Sequence, residues 1–183
     1  HGFGTLGKTG AGVGEEQDCN DQIDVYFSTF AKSMAGFGAF LAGDKEIIRY
    51  LKFNLRSQIF AKSLTMPMVI GGLKRLELLR SKPEIKAKLW ENVYKLQNGL
   101  KERGFNIGDT NTCVTPVMMQ GTPVEATLLV KDLRENYGIF TSVVVYPVPP
   151  KGIMPLRVIP TASHTDAEIN ETLAAFEAIH DKL

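Results

Sequence analysis

The sequence predicts an α/β protein, with sheet and helices in two layers over residues 81–183. Three patterns carry that prediction. Two nearly continuous apolar runs of strand length, residues 23–30 and 37–42, read as strands of the buried kind. Longer segments space apolar residues three and four apart between capping signals, as helices with one buried face do. Beyond residue 104 the two periods alternate in the order β-α-β-β-α.

Taken in order, residues 1–21 form a glycine-rich loop, followed by the two apolar strands. Asp44 caps a helix that runs to about Asn54, with Ile47, Ile48 and Leu51 on one face. Residues 58–67 read as irregular, and residues 68–79 resume a helix on Ile70, Leu73, Leu76 and Leu79. A boundary follows. Ser81 and Glu84 stand at capping-box spacing, and the helix they open carries Ile85, Leu89, Val93, Leu96 and Leu100 in one stripe until Gly104 stops it. Then come a strand over 114–119, a helix over 123–137, strands over 139–146 and 156–159, and a last helix from Asp166. That helix has Thr165 and Glu168 at capping-box spacing and the apolar set Ile169, Leu173, Phe176 and Ile179. The Met and aromatic residues inside these helices read as core.

With 183 residues, 44% hydrophobic and 22% charged, the chain can bury a core of one domain or one and a half. Its 21 basic and 20 acidic residues leave a net charge of +1, which gives no electrostatic argument for nucleic acid or a membrane surface. Cys19 and Cys113 lie far apart without metal-ligand spacing, which points to a reducing compartment and no disulfide framework. No apolar run approaches the roughly 20 residues that span a bilayer, and no signal-peptide pattern opens the chain, so a soluble cytoplasmic protein is expected. The glycine-rich opening has no element before it to anchor it, and the sequence therefore reads as the C-terminal part of something longer.

The segment Ser28-Thr29-Phe30-Ala31-Lys32-Ser33 places a lysine at the end of a strand expected to be buried. Removing an ammonium from water costs several kcal/mol and favours the neutral amine. A neutral amine in a dry cleft attacks aldehydes, so Schiff-base chemistry is one reading of Lys32; a solvated lysine just past a strand end is the other. The opening residues also fit two nucleotide signatures, G-x-G-x-x-G from Gly2 to Gly7 and G-x-x-x-x-G-K-[ST] from Gly2 to Thr9. Both need a strand before and a helix directly after, and Gly10-Ala11-Gly12-Val13-Gly14 favours loop, so a structural turn is the stronger reading. Other polar residues stand out: His1 at the head of the loop, Thr29 three residues before Lys32, Lys62-Ser63 in the irregular segment, and Arg157 on an apolar strand. An arginine fork suits a carboxylate ligand, and an ordinary sheet-edge arginine is the alternative.

The stretches 1–14, 24–43, 59–64 and 146–165, with Thr29-Phe30-Ala31-Lys32-Ser33 and the Pro-Lys-Gly turn before Arg157, resemble the α-oxoamine synthases. These are pyridoxal 5'-phosphate (PLP) enzymes of the aspartate-aminotransferase fold type that join an amino acid to an acyl-CoA. The resemblance implies that residues 1–75 are the end of the large PLP-binding α/β domain of fold type I. Residues 76–183 would then be the C-terminal α+β small domain, an antiparallel sheet with helices. It further implies that Lys32 is the Schiff-base lysine, that Thr29 bonds the phosphate region, and that His1 contacts the phenolic oxygen of PLP. Arg157 would receive the amino-acid carboxylate. Lys62 and Ser63 would reach the phosphate of the other subunit's cofactor in a homodimer, with Lys62 standing where the family has a hydroxyl. The family's ring-pairing aspartate would precede His1 and is not among these residues.

Within the family the Thr-Phe-Ala-Lys-Ser wording is similar to serine palmitoyltransferases, which gives the favoured function. The Tyr-Pro-Val-Pro-Pro-Lys-Gly turn is similar to glycine C-acetyltransferases (2-amino-3-ketobutyrate CoA ligases), the second reading; 8-amino-7-oxononanoate synthase is the third. Outside the family stand a P-loop nucleotide binder and a non-catalytic structural fragment. These residues alone are expected to bind PLP weakly or not at all, and the complete polypeptide to bind it fully.

Overall fold

The computed structural model describes residues 1–182. The chain divides into two compact units, His1–Lys86 and Ala87–Leu183.

In the first unit the glycine-rich loop leads to a short helix α1 (Val13–Glu16). Strands β1 (Val25–Thr29) and β2 (Ala39–Gly43) form an antiparallel hairpin, with Thr29 opposite Ala39 and Val25 opposite Gly43. Helices α2 (Lys45–Asn54), α3 (Arg56–Ile59) and α4 (Met66–Ser81) follow. The expectation of buried strands over 23–30 and 37–42 is corrected here: β1 and β2 pair with each other alone among the described residues, and Val25 and Phe27 stand exposed. Apolarity gave the strands; it did not give their burial. Asp44 takes the N-cap position of α2 without a side-chain bond to the helix. The stretch expected to be irregular contains α3, and α4 is longer at both ends than 68–79.

In the second unit most of α5 (Pro83–Glu102) packs with β3 (Thr115–Met119), α6 (Pro123–Tyr137), β4 (Ser142–Val143), β5 (Met154–Val158) and α7 (Asp166–Ala178). The sheet is antiparallel in the order β3-β5-β4. Along β5, Met154, Leu156 and Val158 point into the core and Arg157 points away from it, the alternation a strand imposes. Leu96, Leu100, Val117, Leu133, Leu156 and Phe176 lie at the centre of that core, all 1% exposed or less. The α7 stripe is as expected, with Ile169, Leu173, Phe176 and Ile179 buried and the Thr165–Glu168 capping box in place. Thr122 and Glu125 close a second box on α6.

The Ser81–Glu84 box does not form: Ser81 is the last residue of α4 and Lys82 its C-cap, because α4 runs further than its apolar stripe. Ile85 is likewise exposed, so the buried stripe of α5 is Val93, Leu96 and Leu100. The run 139–146 yields only the two residues of β4, since β5 offers Arg157 and Leu156 as partners and the chain then leaves the sheet. Gly104, at φ 82°, ends α5 as read, with the Phe105 amide donating to Leu100 O.

Candidate functional site

Lys32 sits in the connection between β1 and β2. The Phe30 amide donates to Gly38 O (2.9 Å), the Gly36 amide to Phe30 O (2.7 Å) and the Ala35 amide to Lys32 O (2.9 Å), so the backbone folds back tightly around the lysine. Ala35 takes φ 42°, the left-handed region that a side chain rarely adopts. Met34 buries, and Phe30, Met34 and Phe37 line a cavity of about 340 Å³ with Phe40, Leu64 and Leu73. Lys32 itself is exposed and its amine has no hydrogen bond or ion pair among the described residues. Among these 183 residues the expected desolvation of this amine is not seen: the strand that leads to it has an exposed face, and the turn places Lys32 at the surface of its unit.

Thr29 lies at the end of β1, half-buried, where its hydroxyl donates to Gly38 O (3.2 Å) and accepts from the Ala31 amide (3.1 Å). Ser33 reaches across to the glycine-rich loop and donates to Phe3 O (2.5 Å). Gly4 has to be a glycine here, since it takes φ 84° and a Cβ on it would stand 2.5 Å from Ser33 Oγ. The lysine turn and the loop that begins with His1 are thus one construction. His1 is exposed, with its carbonyl accepting from Thr5 Oγ1 (2.6 Å).

The loop holds itself with its own carboxylates. Glu15 accepts from the Thr9 amide (3.0 Å), the Thr9 hydroxyl (3.0 Å) and the Ala11 amide (3.1 Å), and Glu16 accepts from the Gly7 amide (2.7 Å). Desolvation pushes the Glu15 carboxyl up, but the Thr9 and Ala11 donors with the Lys86 ammonium outweigh it and hold it below the usual range. Lys86 also donates to Gly7 O. Tyr26 donates its hydroxyl to Ala11 O (2.7 Å), and burial raises it above an ordinary phenol. The Gly7, Thr9 and Ala11 amides that a phosphate loop would offer are spent on these two carboxylates, and α1 has only four residues. The nucleotide signatures at the opening are a structural turn.

Lys62 and Ser63 lie exposed between α3 and α4, one residue before Leu64, whose side chain covers Gly38. Arg157 lies in the second unit on the outer face of β5, opposite Pro116 on one side and Ser142 on the other, with its carbonyl accepting from Thr141 Oγ1 (2.8 Å). Its guanidinium is exposed and unpaired among the described residues. The Thr161–His164 turn that follows is fixed by Asn92 of α5, fully buried, whose amide donates to Thr161 O (2.9 Å) and His164 O (2.8 Å). Within the first unit, then, His1, Thr29, Lys32 and Ser33 belong to one bonded assembly. The sequence reading assigned no role to Ser33 or Glu15. Their signals were present, a hydroxyl beside the lysine and an acid pair after a run of glycines.

Comparison with known proteins bears on this arrangement. The chain is 64% identical over 183 residues to the cysteate-C-fatty acyltransferase of Capnocytophaga ochracea, covering 100% of this chain and 44% of that protein. It is 35% identical over 173 residues to the serine palmitoyltransferase of Sphingobacterium spiritivorum, covering 94% and 43%. Among solved structures, SPT with the PLP internal aldimine superposes with a TM-score of 0.91 at 29% identity, over 100% of this chain and 46% of that one. The Sphingomonas wittichii serine palmitoyltransferase does so with a TM-score of 0.91 at 26% identity and the same coverage. The fold is that of a PLP fold type I fragment, α/β as expected, and the chain spans about half the length of the relatives it matches. Residues 3–176 match the description Aminotransferase class I and II, and the chain belongs to that family. Its resemblance to the α-oxoamine synthases within that family holds.

Proposed function

We propose that this chain is the C-terminal part of a PLP-dependent acyltransferase that condenses an amino acid with an acyl-CoA, using cysteate and a fatty acyl-CoA. The observation that carries the reaction class is the Lys32 turn, an unengaged amine bonded through Ser33 to the loop that His1 heads. The choice of cysteate over serine rests on identity, 64% to the cysteate enzyme against 35% to a serine palmitoyltransferase.

The donor set fits PLP. Lys32 Nζ is an amine for the aldehyde carbon, the His1 imidazole can meet the phenolic oxygen, and the Thr29 hydroxyl can turn its one proton from Gly38 O to phosphate. When bound, the cofactor supplies that aldehyde and a ring that takes up the electron pair left at Cα. Lys32 does two jobs in this scheme. Its amine would hold the cofactor's aldehyde carbon and, when free, would take the proton from the amino acid's Cα. Arg157 binds the amino-acid carboxylate with its fork and so sets which Cα bond breaks. Cα then joins the acyl carbon and CoA leaves as its thiol. Lys62 and Ser63 serve the phosphate of a second subunit's cofactor in a homodimer. Residues 1–75 belong to the large domain and 76–183 to the small one. No helix among the described residues is long and apolar enough to cross a membrane; a cytoplasmic location is part of the proposal.

The test is release of CoA thiol by the full-length protein with cysteate, serine or glycine, each against palmitoyl-CoA and acetyl-CoA. Cysteate with palmitoyl-CoA is expected to be fastest. Preference for serine would move the protein to the serine palmitoyltransferases, and preference for glycine with acetyl-CoA to the glycine C-acetyltransferases; no release with any pair would sink the reading.

A further inference from the structure

Resting on the reading that Lys32 carries the cofactor, we infer that Ser33 is a positioning residue, whose hydroxyl sets the span between the Lys32 amine and the His1 segment. The cofactor's aldehyde and its phenolic oxygen stand on adjacent ring carbons, so a lysine serving one and a histidine serving the other must be held at a fixed, short separation. Lys32 and His1 are 31 positions apart in sequence and belong to different elements, and no helix or strand pairing links them.

Ser33 links them beside the lysine, while further along the loop the Tyr26 hydroxyl of β1 donates to Ala11 O (2.7 Å). The Ser33 hydroxyl donates to the carbonyl of Phe3, two residues from His1, and its own backbone is the residue directly after the lysine. Both ends of the bond are stiff. On the loop side, Thr5 Oγ1 donates to His1 O, the Thr5 and Leu6 amides to Gly2 O, and the Gly4 amide to Gly10 O (2.7 Å). On the hairpin side, the Phe30, Ala35 and Gly36 amides close the turn and Met34 anchors it. Phe3 adds an edge contact to Phe40 of β2, ring centroids 5.4 Å apart, so the loop stays beside the hairpin even when the hydroxyl is removed. Loss of the hydroxyl therefore loosens the spacing without detaching the loop. A hydrogen-bonded hydroxyl here, with Gly4 kept bare to admit it, is a tie between two chemical groups rather than part of a core.

The experiment uses the full-length protein and the variants Ser33→Ala, Ser33→Thr and Lys32→Ala. Covalent attachment of PLP to Lys32 is followed by borohydride trapping and peptide mapping, beside kcat and KM for the preferred substrate pair and thermal melting. Ser33→Ala is expected to slow attachment and to lower kcat between about tenfold and a hundredfold with KM nearly unchanged, as a misplacement of reacting groups does. Ser33→Thr, which keeps a hydroxyl, is expected to recover most of both. If Ser33→Ala attaches PLP and turns over at the unaltered rate, or loses only melting temperature, the inference is wrong. If Ser33→Ala fails to fold, Ser33→Cys, with its weak donor, takes its place under the same criteria. Unaltered PLP attachment in Lys32→Ala would instead overturn the functional reading beneath it, so the two failures are distinct.

Discussion

In Ala87–Leu183 the side chains of α5, α6, α7, β3 and β5 enclose a continuous apolar core, whereas His1–Lys86 buries, of its large apolar side chains among the described residues, Met34 alone. The first unit keeps its shape by another means: backbone bonds across the glycine loop, two carboxylates that gather loop amides, and the closed turn around Lys32. Phe27, Phe37, Phe53 and Phe60 are each more than 60% exposed there. The comparison separates two tasks. Among these 183 residues, about half the length of the relatives, the second unit closes a core of its own, while the first leaves large apolar faces open and holds a few polar groups in place.

The sharpest way to break this contrast is to remove a ring from each unit. Phe176→Ala, at a fully buried position, is expected to cost about 3–5 kcal/mol, and Phe27→Ala about 0.5 kcal/mol or less, by urea denaturation of the 183-residue chain itself. Equal costs would contradict the division. Next in size is Gly99→Ala. A Cβ at this position in α5 would stand 2.5 Å from Leu173 Cδ1 of α7, and the overpacking is expected to cost about 1–3 kcal/mol, since the core has no slack to give.

The smallest effect on overall stability concerns the first unit. Glu15→Ala is expected to leave melting almost unchanged while the Thr9 and Ala11 amides exchange with solvent roughly tenfold faster or more. The pH dependence follows from the same bonds. Because the folded loop holds the Glu15 carboxyl below 4.5, its contribution is present above that pH and is lost as pH falls through the lowered value. Amide protection at Thr9 and Ala11 in the unaltered protein should therefore fall away on acidification, and in Glu15→Ala it should be absent throughout.

The same contrast explains what the sequence made legible. In the second unit apolar periodicity and burial coincide: Val93, Leu96 and Leu100, the alternation of β5, and the α7 stripe with its capping box all stand where their spacing put them. In the first unit the strands were legible and their burial was not, because a sequence records how apolar a strand is and not what lies against it. Lys32 was singled out on the premise of a buried strand, and these residues, about half the length of the relatives, leave one face of that strand uncovered. The lysine's place at the head of a tight, stapled turn is a better reason for the same residue. The Ser33 tie spans 30 positions, and a bond between a hydroxyl and a distant backbone carbonyl leaves no periodic trace for spacing arguments to find.

Incubating the full-length protein with PLP, reducing with borohydride and mapping the modified peptide tests the assignment of Lys32 directly. The adduct is expected on the peptide that contains Lys32, and to vanish in Lys32→Ala. An adduct on another lysine alone, or undiminished covalent labelling in Lys32→Ala, would contradict it.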